Sequence, residues 1–421
     1  MIRSYVRRGR RFVGLISWTV GDQFLFALSS LVVTLAVARG GGAEALGRFS
    51  VAFAAYLIVL GFSRALVSEP LLAIPRDEDR TGEAESTTLT MLFAAAGATV
   101  VGVVGLLLGR VELLVVAAAL PAALIQDVLR YHAFHRGQPA RAALLDGGWL
   151  LASVITWPIV TAAGSTTVAL ACWAAGAVLS IGLGWRALRP RLCGLGVAFA
   201  WWRAKARSLA NPLLLDGIAY VMSVQGVVFI VASMAGDDQL GVLRAGQVYF
   251  APLTLLLVAV GVLAVPQLAQ RAHLHTGVVA ARLAVAAALV MAILSAAILA
   301  AAPLLHSLLY GDSILVPNVL LVPLAVMVII TGASTGLVVI TRTRHRGGDL
   351  SRSRISSAVV GVGLAAWMTA EFGVVGAAWA LVGQALCYLA HLGMLVKLGN
   401  PVRATPDKTE VRGETVVREI S

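Results

Sequence analysis

Charged residues are scarce in this sequence. They make up 13% of its 421 residues, whereas soluble domains contain roughly 25%. Hydrophobic residues make up 59%, and the mean hydropathy is +0.88. A water-soluble fold of this length has no core large enough for so much apolar surface, because single cores stop growing at roughly 250–300 residues. The composition therefore predicts an integral membrane protein.

Cysteine, lysine and the signatures of common enzyme sites are also nearly absent. Cys172, Cys193 and Cys387 are far apart and do not have the spacing of a metal site. None of the lysines follows a glycine, which excludes the phosphate-binding loop G-x-x-x-x-G-K-[ST] of an ATPase. We therefore expect no metal, no organic cofactor and no catalytic residues.

Apolar stretches of about 20 residues, the length that crosses a bilayer as a helix, recur along the chain. The first stretch is too long for a secretory signal and contains Asp22, so we expect an uncleaved helix. We predict twelve transmembrane helices, at 14–38, 46–72, 87–108, 111–131, 142–163, 166–185, 212–235, 245–266, 278–302, 316–340, 355–371 and 374–396.

The distribution of basic residues orients these helices. With the amino terminus in the cytoplasm, the outer segments contain only Arg39, Arg48, Arg110 and Arg244 of the 33 basic residues. Cytoplasmic loops are enriched in Lys and Arg, so we predict a multi-pass plasma-membrane protein with both termini in the cytoplasm. The net charge of +12 fits anionic lipid better than nucleic acid, because the basic residues lie between apolar stretches.

A basic linker divides the helices into two groups of six. We predict an amino-terminal lobe at 1–190, a cytoplasmic linker at 191–211, a carboxy-terminal lobe at 212–400 and a disordered tail at 401–421. The linker places apolar and aromatic residues at 197–202 beside a basic cluster, a pattern typical of a helix in the inner membrane interface. A plain basic loop is the alternative.

The two groups of six show weak internal similarity. An offset of 194 residues aligns Asp22 with Asp216 and Gly47 with Gly241. An offset of 196, which requires a two-residue insertion, aligns arginines and prolines that follow. Repeated halves in the same orientation are a common plan of transporters, in which the substrate binds between them.

Polar residues inside the spans are the candidates for a substrate site. An ionisable side chain at mid-bilayer costs roughly 2.5–3.5 kcal/mol and marks a cavity or a partner. The cavity candidates are Asp22, Gln23, Arg64, Glu69 and Asp216. If the first two helices form an antiparallel hairpin, Asp22 and Arg64 lie at similar depth. We predict that both face one aqueous cavity, with a salt bridge that only holds the hairpin as the alternative.

Three arginines break the charge asymmetry at the outer side. Arg39, Arg48 and Arg244 are candidates for an outer mouth that meets an anionic head group, or for ordinary interface anchors. Asp127, in contrast, is expected to pair with Arg130 one helical turn away.

Two motifs carry a family resemblance. Residues 16–23 read Ile-Ser-Trp-Thr-Val-Gly-Asp-Gln, and residues 61–72 read Gly-Phe-Ser-Arg-Ala-Leu-Val-Ser-Glu-Pro-Leu-Leu. Together with the Leu-Gly turn that precedes the second helix, they resemble the polysaccharide-export branch of the multidrug/oligosaccharidyl-lipid/polysaccharide exporter superfamily, the flippases of lipid-linked sugars. The resemblance implies two helical bundles around a central cationic cavity that opens alternately to the two membrane faces, with Arg64 as a cavity cation.

We therefore expect an all-α integral membrane protein with twelve transmembrane helices in two six-helix lobes around a central cavity. It is expected to flip a lipid-linked oligosaccharide or polysaccharide precursor from the cytoplasmic to the outer leaflet during polysaccharide biosynthesis. The alternatives are a cation-coupled drug or metabolite antiporter of the same superfamily and a membrane-integral enzyme of cell-envelope assembly, against which the short outer loops argue.

The expected partners follow from this function. They are a lipid-linked glycan substrate and membrane lipids, not nucleic acid, and the protein is expected to work as a monomer. Coupling to protons, to sodium ions or to the membrane potential is left open by the sequence.

Overall fold

The regular structure of this protein is helical throughout the residues that the computed structural model describes, 2–74, 82–269, 276–343 and 347–398. The tail predicted at 401–421 lies outside these ranges. In chain order the α-helices are α1 Ile2–Ser63, α2 Glu69–Ala73, α3 Gly82–Leu108, α4 Val111–His135, α5 Pro139–Ala163, α6 Thr166–Leu188, α7 Leu195–Trp201, α8 Arg207–Met234, α9 Gly236–Ala269, α10 Thr276–Ala300, α11 Ala302–Leu309, α12 Asn318–Thr343 and α13 Gly347–Leu398. Two π-helical turns, Arg64–Ser68 and Trp202–Ala206, join α1 to α2 and α7 to α8.

Ten helical segments of the described chain are long and apolar enough to cross a membrane. Two of them, Gly21–Ala73 with 53 residues and Gly348–Val396 with 49, are more than twice the required length of ~20 residues. Each contains one glycine with a non-helical backbone: Gly42 has φ 71° and Gly373 has φ 59°, values that glycine adopts without a Cβ clash. Counting both segments as two crossings confirms the predicted twelve.

Contacts across α13 show that its two parts form an antiparallel hairpin. Ser356 Oγ and His391 Nδ1, nearly equidistant from Gly373 in sequence, form a hydrogen bond of 2.5 Å. Closer to the corner, Gly361 packs against Gln384 so tightly that a Cβ would lie 2.6 Å from the Gln384 side chain. The chain therefore reverses direction at Gly373.

The crossings form two groups of equal size. Six precede the linker and six follow it; we call these groups the first and the second half. Within the first half α1 packs on α5 and α3 packs on α4, and within the second α8 packs on α13 and α10 on α12. The halves meet where α1 contacts α8 and α9. Large apolar side chains such as Leu107 and Leu315 are exposed, as expected where lipid is the solvent.

The predicted linker is helical over most of its length. It contains α7, the second π-helical turn and the beginning of α8. Ala198 and Trp201 are buried against Val67 and Leu71, near the end of the second crossing. The structure thus shows a packed helix in place of a plain loop, while its position in the membrane interface and the predicted lobe limits stay predictions.

Candidate functional site

Five ionisable side chains of the first half form one network around Arg130. The Arg130 guanidinium lies 2.5 Å from Asp22 Oδ2, 3.1 Å from Asp127 Oδ1 and 3.0 Å from Asp146 Oδ2. Asp127 extends the network to Arg64, with Nη2 at 2.6 Å from Oδ1 and Nε at 3.0 Å from Oδ2. These groups come from α1, α4, α5 and the π-helical turn, so the network joins most of the first half.

The network is deeply buried and contains more acid than base. The side chains of Asp22 and Asp146 have no exposed area and that of Arg130 is 1% exposed, whereas Arg64 is 24% exposed. Three carboxylates face two guanidinium groups. Neutral amides supplement the arrangement, because Gln126 donates to Asp146 at 2.8 Å and Gln23 donates to Asp22 at 3.3 Å. With all five ionisable groups charged, the network carries one excess negative charge.

A cavity of about 430 Å³ lies beside this network. The Arg64 guanidinium is also within 6 Å of the aromatic rings of Phe26 and Tyr131, at 5.6 and 5.9 Å from their centroids. Cations are attracted to such ring faces. The cavity walls therefore combine cations, an amide and aromatic rings, and they are formed by Gln23, Arg64, Leu72, Arg130, Tyr131, Phe134, Gly137 and Pro139.

This geometry changes the expectation for Asp22 and Arg64. They belong to one network, but Arg130 and Asp127 stand between them, and no direct contact joins the two. Arg64 and Gln23 line the cavity as expected. Asp22 does not line it, because its carboxylate is enclosed against Arg130. The Asp127–Arg130 pair is present, at 3.1 Å.

A proline explains the backbone that presents Arg64. In an α-helix the carbonyl of Leu66 would accept a hydrogen bond from residue 70, but Pro70 has no backbone N–H. The helix widens here into the π-helical turn Arg64–Ser68, in which the backbone N–H of Glu69 bonds the Arg64 carbonyl. The indole of Trp202, from the linker, donates to the Leu66 carbonyl at 2.9 Å. The linker thus completes the hydrogen bonding of the turn that carries a cavity cation.

The second half has a simpler counterpart. Asp216, which the repeat aligns with Asp22, pairs with Arg354 of α13, and the Arg354 guanidinium lies 5.6 Å from the Tyr220 ring. Both partners are partly exposed, at 31% for Asp216 and 22% for Arg354. Glu69 has no hydrogen bond or ion pair among the described residues. Its electrostatic neighbours include Arg64 of the first half and Asp216 and Arg354 of the second.

The three outer arginines have different partners. Arg39 donates to the carbonyls of Leu308 and Leu309 at the end of α11, at 2.7 and 3.0 Å. Because α1 and α11 belong to different halves, this contact bridges them. Arg48 pairs with Glu44 four residues earlier on α1, and its guanidinium lies 3.9 Å from the carboxylates of Glu112 and of Asp237 in the second half.

Arg244 stands apart from these pairs. It lies within α9, eight residues after Gly236, about 12 Å along the helix, and not in an outer loop. Its guanidinium donates to the Gln247 amide at 2.9 Å. Within the described part of the chain it has no carboxylate partner, unlike Arg64, Arg130 and Arg354.

At the ends that the charge pattern assigns to the outer side, the two halves touch through backbone at two glycines. A Cβ at Gly47 would lie 1.8 Å from the carbonyl oxygen of Asp237, and a Cβ at Gly241 would lie 1.8 Å from that of Ala43. Both pairs are related by the offset of 194 residues found in the sequence. We call these two contacts the outer seal. The seal supports the repeat, because the equivalent glycine of each half approaches the equivalent backbone carbonyl of the other half.

Sequence reasoning did not find the central roles of Arg130 and Arg354. The sequence pattern pairs Arg130 only with Asp127, and it leaves Arg354 just before the span predicted at 355–371. A usable signal existed for Arg130: three aspartates at similar depth in apolar spans require a cation, and Arg130 lies three residues after one of them, Asp127. Arg354 lies eight residues inside α13, which the hydropathy pattern did not reveal.

Comparison with known proteins identifies the fold. No protein-family profile matches the sequence, and no curated protein does. Among solved structures, the chain is similar to the lipid II flippase MurJ in an inward closed conformation, with a TM-score of 0.70 and 10% identity over 91% of this chain and 87% of that one. It is also similar to an inward-facing multidrug resistance MATE family transporter of the MOP superfamily, with a TM-score of 0.67 and 14% identity over 89% and 96%.

A third similar structure is a MOP superfamily transporter from Pyrococcus furiosus, with a TM-score of 0.60 and 14% identity over 91% of this chain and 93% of that one. At such identities the likeness establishes architecture alone. The chain has the helical fold shared by MATE transporters and MurJ.

Proposed function

We propose that this protein is an alternating-access transporter that moves a lipid-linked glycan precursor with an anionic head group from the cytoplasmic to the outer leaflet. It would act as a monomer in the plasma membrane, with both termini in the cytoplasm. The observation that carries the substrate class is Arg244, a partly buried cation inside α9 without a carboxylate partner in the described chain. A cation shielded from water favours an accompanying anion, and a phosphate group of the substrate supplies one.

The position of Arg244 supports this role. It follows Gly241 by three residues, so both lie on the same side of α9, within about 60° of each other. Gly241 packs against α1 of the opposite half. Arg244 therefore lies one turn deeper than the outer seal, towards the interface between the halves, where transporters built from repeats bind substrate.

The outer seal supports the alternating-access part of the proposal. It holds the outer ends of the two halves together, while the cavity beside Arg64 lies near the end that the charge pattern assigns to the cytoplasm. This arrangement fits an inward state, and two of the similar structures carry that description. Gln23 and Arg64 would then contact an entering head group before it reaches Arg244.

A strain that lacks this gene tests the function. We expect undecorated lipid-linked glycan to accumulate on the cytoplasmic leaflet and envelope glycan to be lost. Arg244→Gln should be produced at the normal level and fail to complement, and Arg244→Lys should restore part of the function. Arg282→Gln, which removes an exposed cation of α10, is the matched control and should complement fully. Full complementation by Arg244→Gln would contradict the assigned site.

The excess acid of the buried network favours a second candidate, cation-coupled antiport of a drug or metabolite. Three carboxylates around two guanidinium groups leave one negative charge for a proton or a sodium ion to neutralise. The same deletion strain separates the candidates. Normal envelope glycans combined with hypersensitivity to drugs would support antiport and reject glycan flipping.

A further inference from the structure

The linker has a surface that no other part of the described chain covers. On it, apolar side chains stand beside cations: Leu195, Val197 and Phe199 are 53%, 55% and 39% exposed. No Asp or Glu occurs anywhere between Asp146 and Asp216. We call the following exposed residues the linker surface: Arg189, Arg191, Leu192, Leu195, Val197, Phe199, Arg203 and Arg207.

We propose that the linker surface is a docking site for the anionic phospholipid head groups of the inner leaflet. A helix with apolar and basic residues side by side lies in the plane of the head groups, with its apolar residues in the acyl boundary. Each cation near such a surface contributes about 1 kcal/mol of attraction, which is roughly a fivefold change in affinity. The arginines of the linker surface have no carboxylate partners in the described chain, so their charge is available to lipid phosphates.

The other side of the same segment is fixed to the protein. Ala198, Trp201 and Ala206 are buried against the end of the second crossing and α3. Cys193 is tied to α3 as well, because its backbone N–H donates to Thr88 Oγ1 at 3.1 Å. The linker therefore has one face exposed to lipid and an opposite face packed into the core. Lipid bound to the exposed face restricts the motion of the whole segment.

This attachment links lipid binding to Arg64. Trp202 follows the buried Trp201 directly. Its indole donates a hydrogen bond to the Leu66 carbonyl, which Pro70 cannot do because it has no backbone N–H. Docking of the linker surface thus stabilises the π-helical turn that presents Arg64 to the cavity. The proposal is independent of the transported substrate, since it concerns the lipid around the protein.

Native mass spectrometry of the purified full-length protein tests the docking site. Phosphatidylglycerol should remain bound more strongly than phosphatidylcholine. The double variant Arg203→Gln/Arg207→Gln should bind phosphatidylglycerol about 25-fold more weakly, at roughly fivefold per cation removed. Arg282→Gln/Arg352→Gln removes two exposed cations elsewhere and should bind as the wild type does. Equal losses in both double variants, or no loss in the first, would overturn the proposal.

Hydrogen exchange in nanodiscs tests the link to Arg64. Amides of residues 64–74 should exchange several-fold more slowly in phosphatidylglycerol discs than in phosphatidylcholine discs. Arg203→Gln/Arg207→Gln should abolish the difference. Trp202→Phe should also abolish it while retaining lipid binding, which a general loss of folding would not do. If the difference persists in Trp202→Phe, the hydrogen bond to Leu66 is not the connection.

Discussion

The two halves of this protein place their matching aspartates in different surroundings. Asp22 is fully buried and shares Arg130 with two further carboxylates, whereas Asp216 is 31% exposed and pairs with Arg354. Removing one partner from a buried cluster leaves charges without water or counter-ions, but a partly exposed pair can exchange its partner for water. The difference indicates that Asp22 and Arg130 hold helices together, while Asp216 and Arg354, like Arg64 of the first half, are accessible to ligands.

Removing the two arginines is the strongest test of this comparison. Arg130→Met leaves Asp22 and Asp146 without a cation, and we expect a loss of about 3–5 kcal/mol in the free energy of unfolding. Arg354→Met should cost about 1 kcal/mol or less, because water reaches Asp216. Equilibrium unfolding in mixed detergent micelles, followed by tryptophan fluorescence, measures both. Equal losses of unfolding free energy in the two variants would mean that the aspartates of the two halves depend equally on their arginine partners.

The outer seal tests whether the halves are equivalent where they touch. Gly47→Ala and Gly241→Ala each place a methyl group against a backbone carbonyl, an overlap that costs roughly 1–3 kcal/mol unless the halves separate. We expect both variants to open the outer side and to do so to the same extent. Spin labels at Leu107→Cys and Leu315→Cys, in a background without the native cysteines, should report a longer distance in both.

Gly363→Ala is the control for these variants. A Cβ at Gly363 meets nothing within 4 Å, so the distance between the labels should stay unchanged. An effect of only one of the two seal variants would show that the contacts are not equivalent.

The smallest effect is expected where charge is exposed. Arg48 is 47% exposed, its close partner Glu44 is 61% exposed, and its other acidic neighbours, Glu112 and Asp237, are no closer than 3.9 Å. Such pairs contribute less than about 1 kcal/mol. Arg48→Gln should therefore shift unfolding by no more than this and leave complementation intact. A loss of complementation at normal protein levels would instead support a role of Arg48 at the outer mouth.

The sequence was sufficient for the number and grouping of crossings, because apolar length and charge asymmetry act along the chain. It also placed Asp22 and Arg64 at a common depth. It did not show that Arg130 lies between Asp22 and Arg64, because the position of Arg130 depends on the rotation of α4 about its axis between α1 and α5. Nor did it place Arg244 inside a helix, because α9 begins at Gly236, nine residues before the predicted span. Hydropathy defines crossings, whereas helix rotation and polar helix ends depend on packing.

The outer seal has a consequence for the proposed transport cycle. Its closest contacts join glycine α-carbons to backbone carbonyls, and neither partner changes charge between acid and alkaline conditions. The strength of these contacts is accordingly indifferent to proton concentration and only weakly affected by salt. The same junction also contains charge, because the Asp237 carboxylate pairs with Arg110 of the first half at 3.1 Å and lies 3.9 Å from Arg48. In the proposed cycle the two glycines set how closely the halves approach, and the ion pairs of Asp237 make the same junction sensitive to salt.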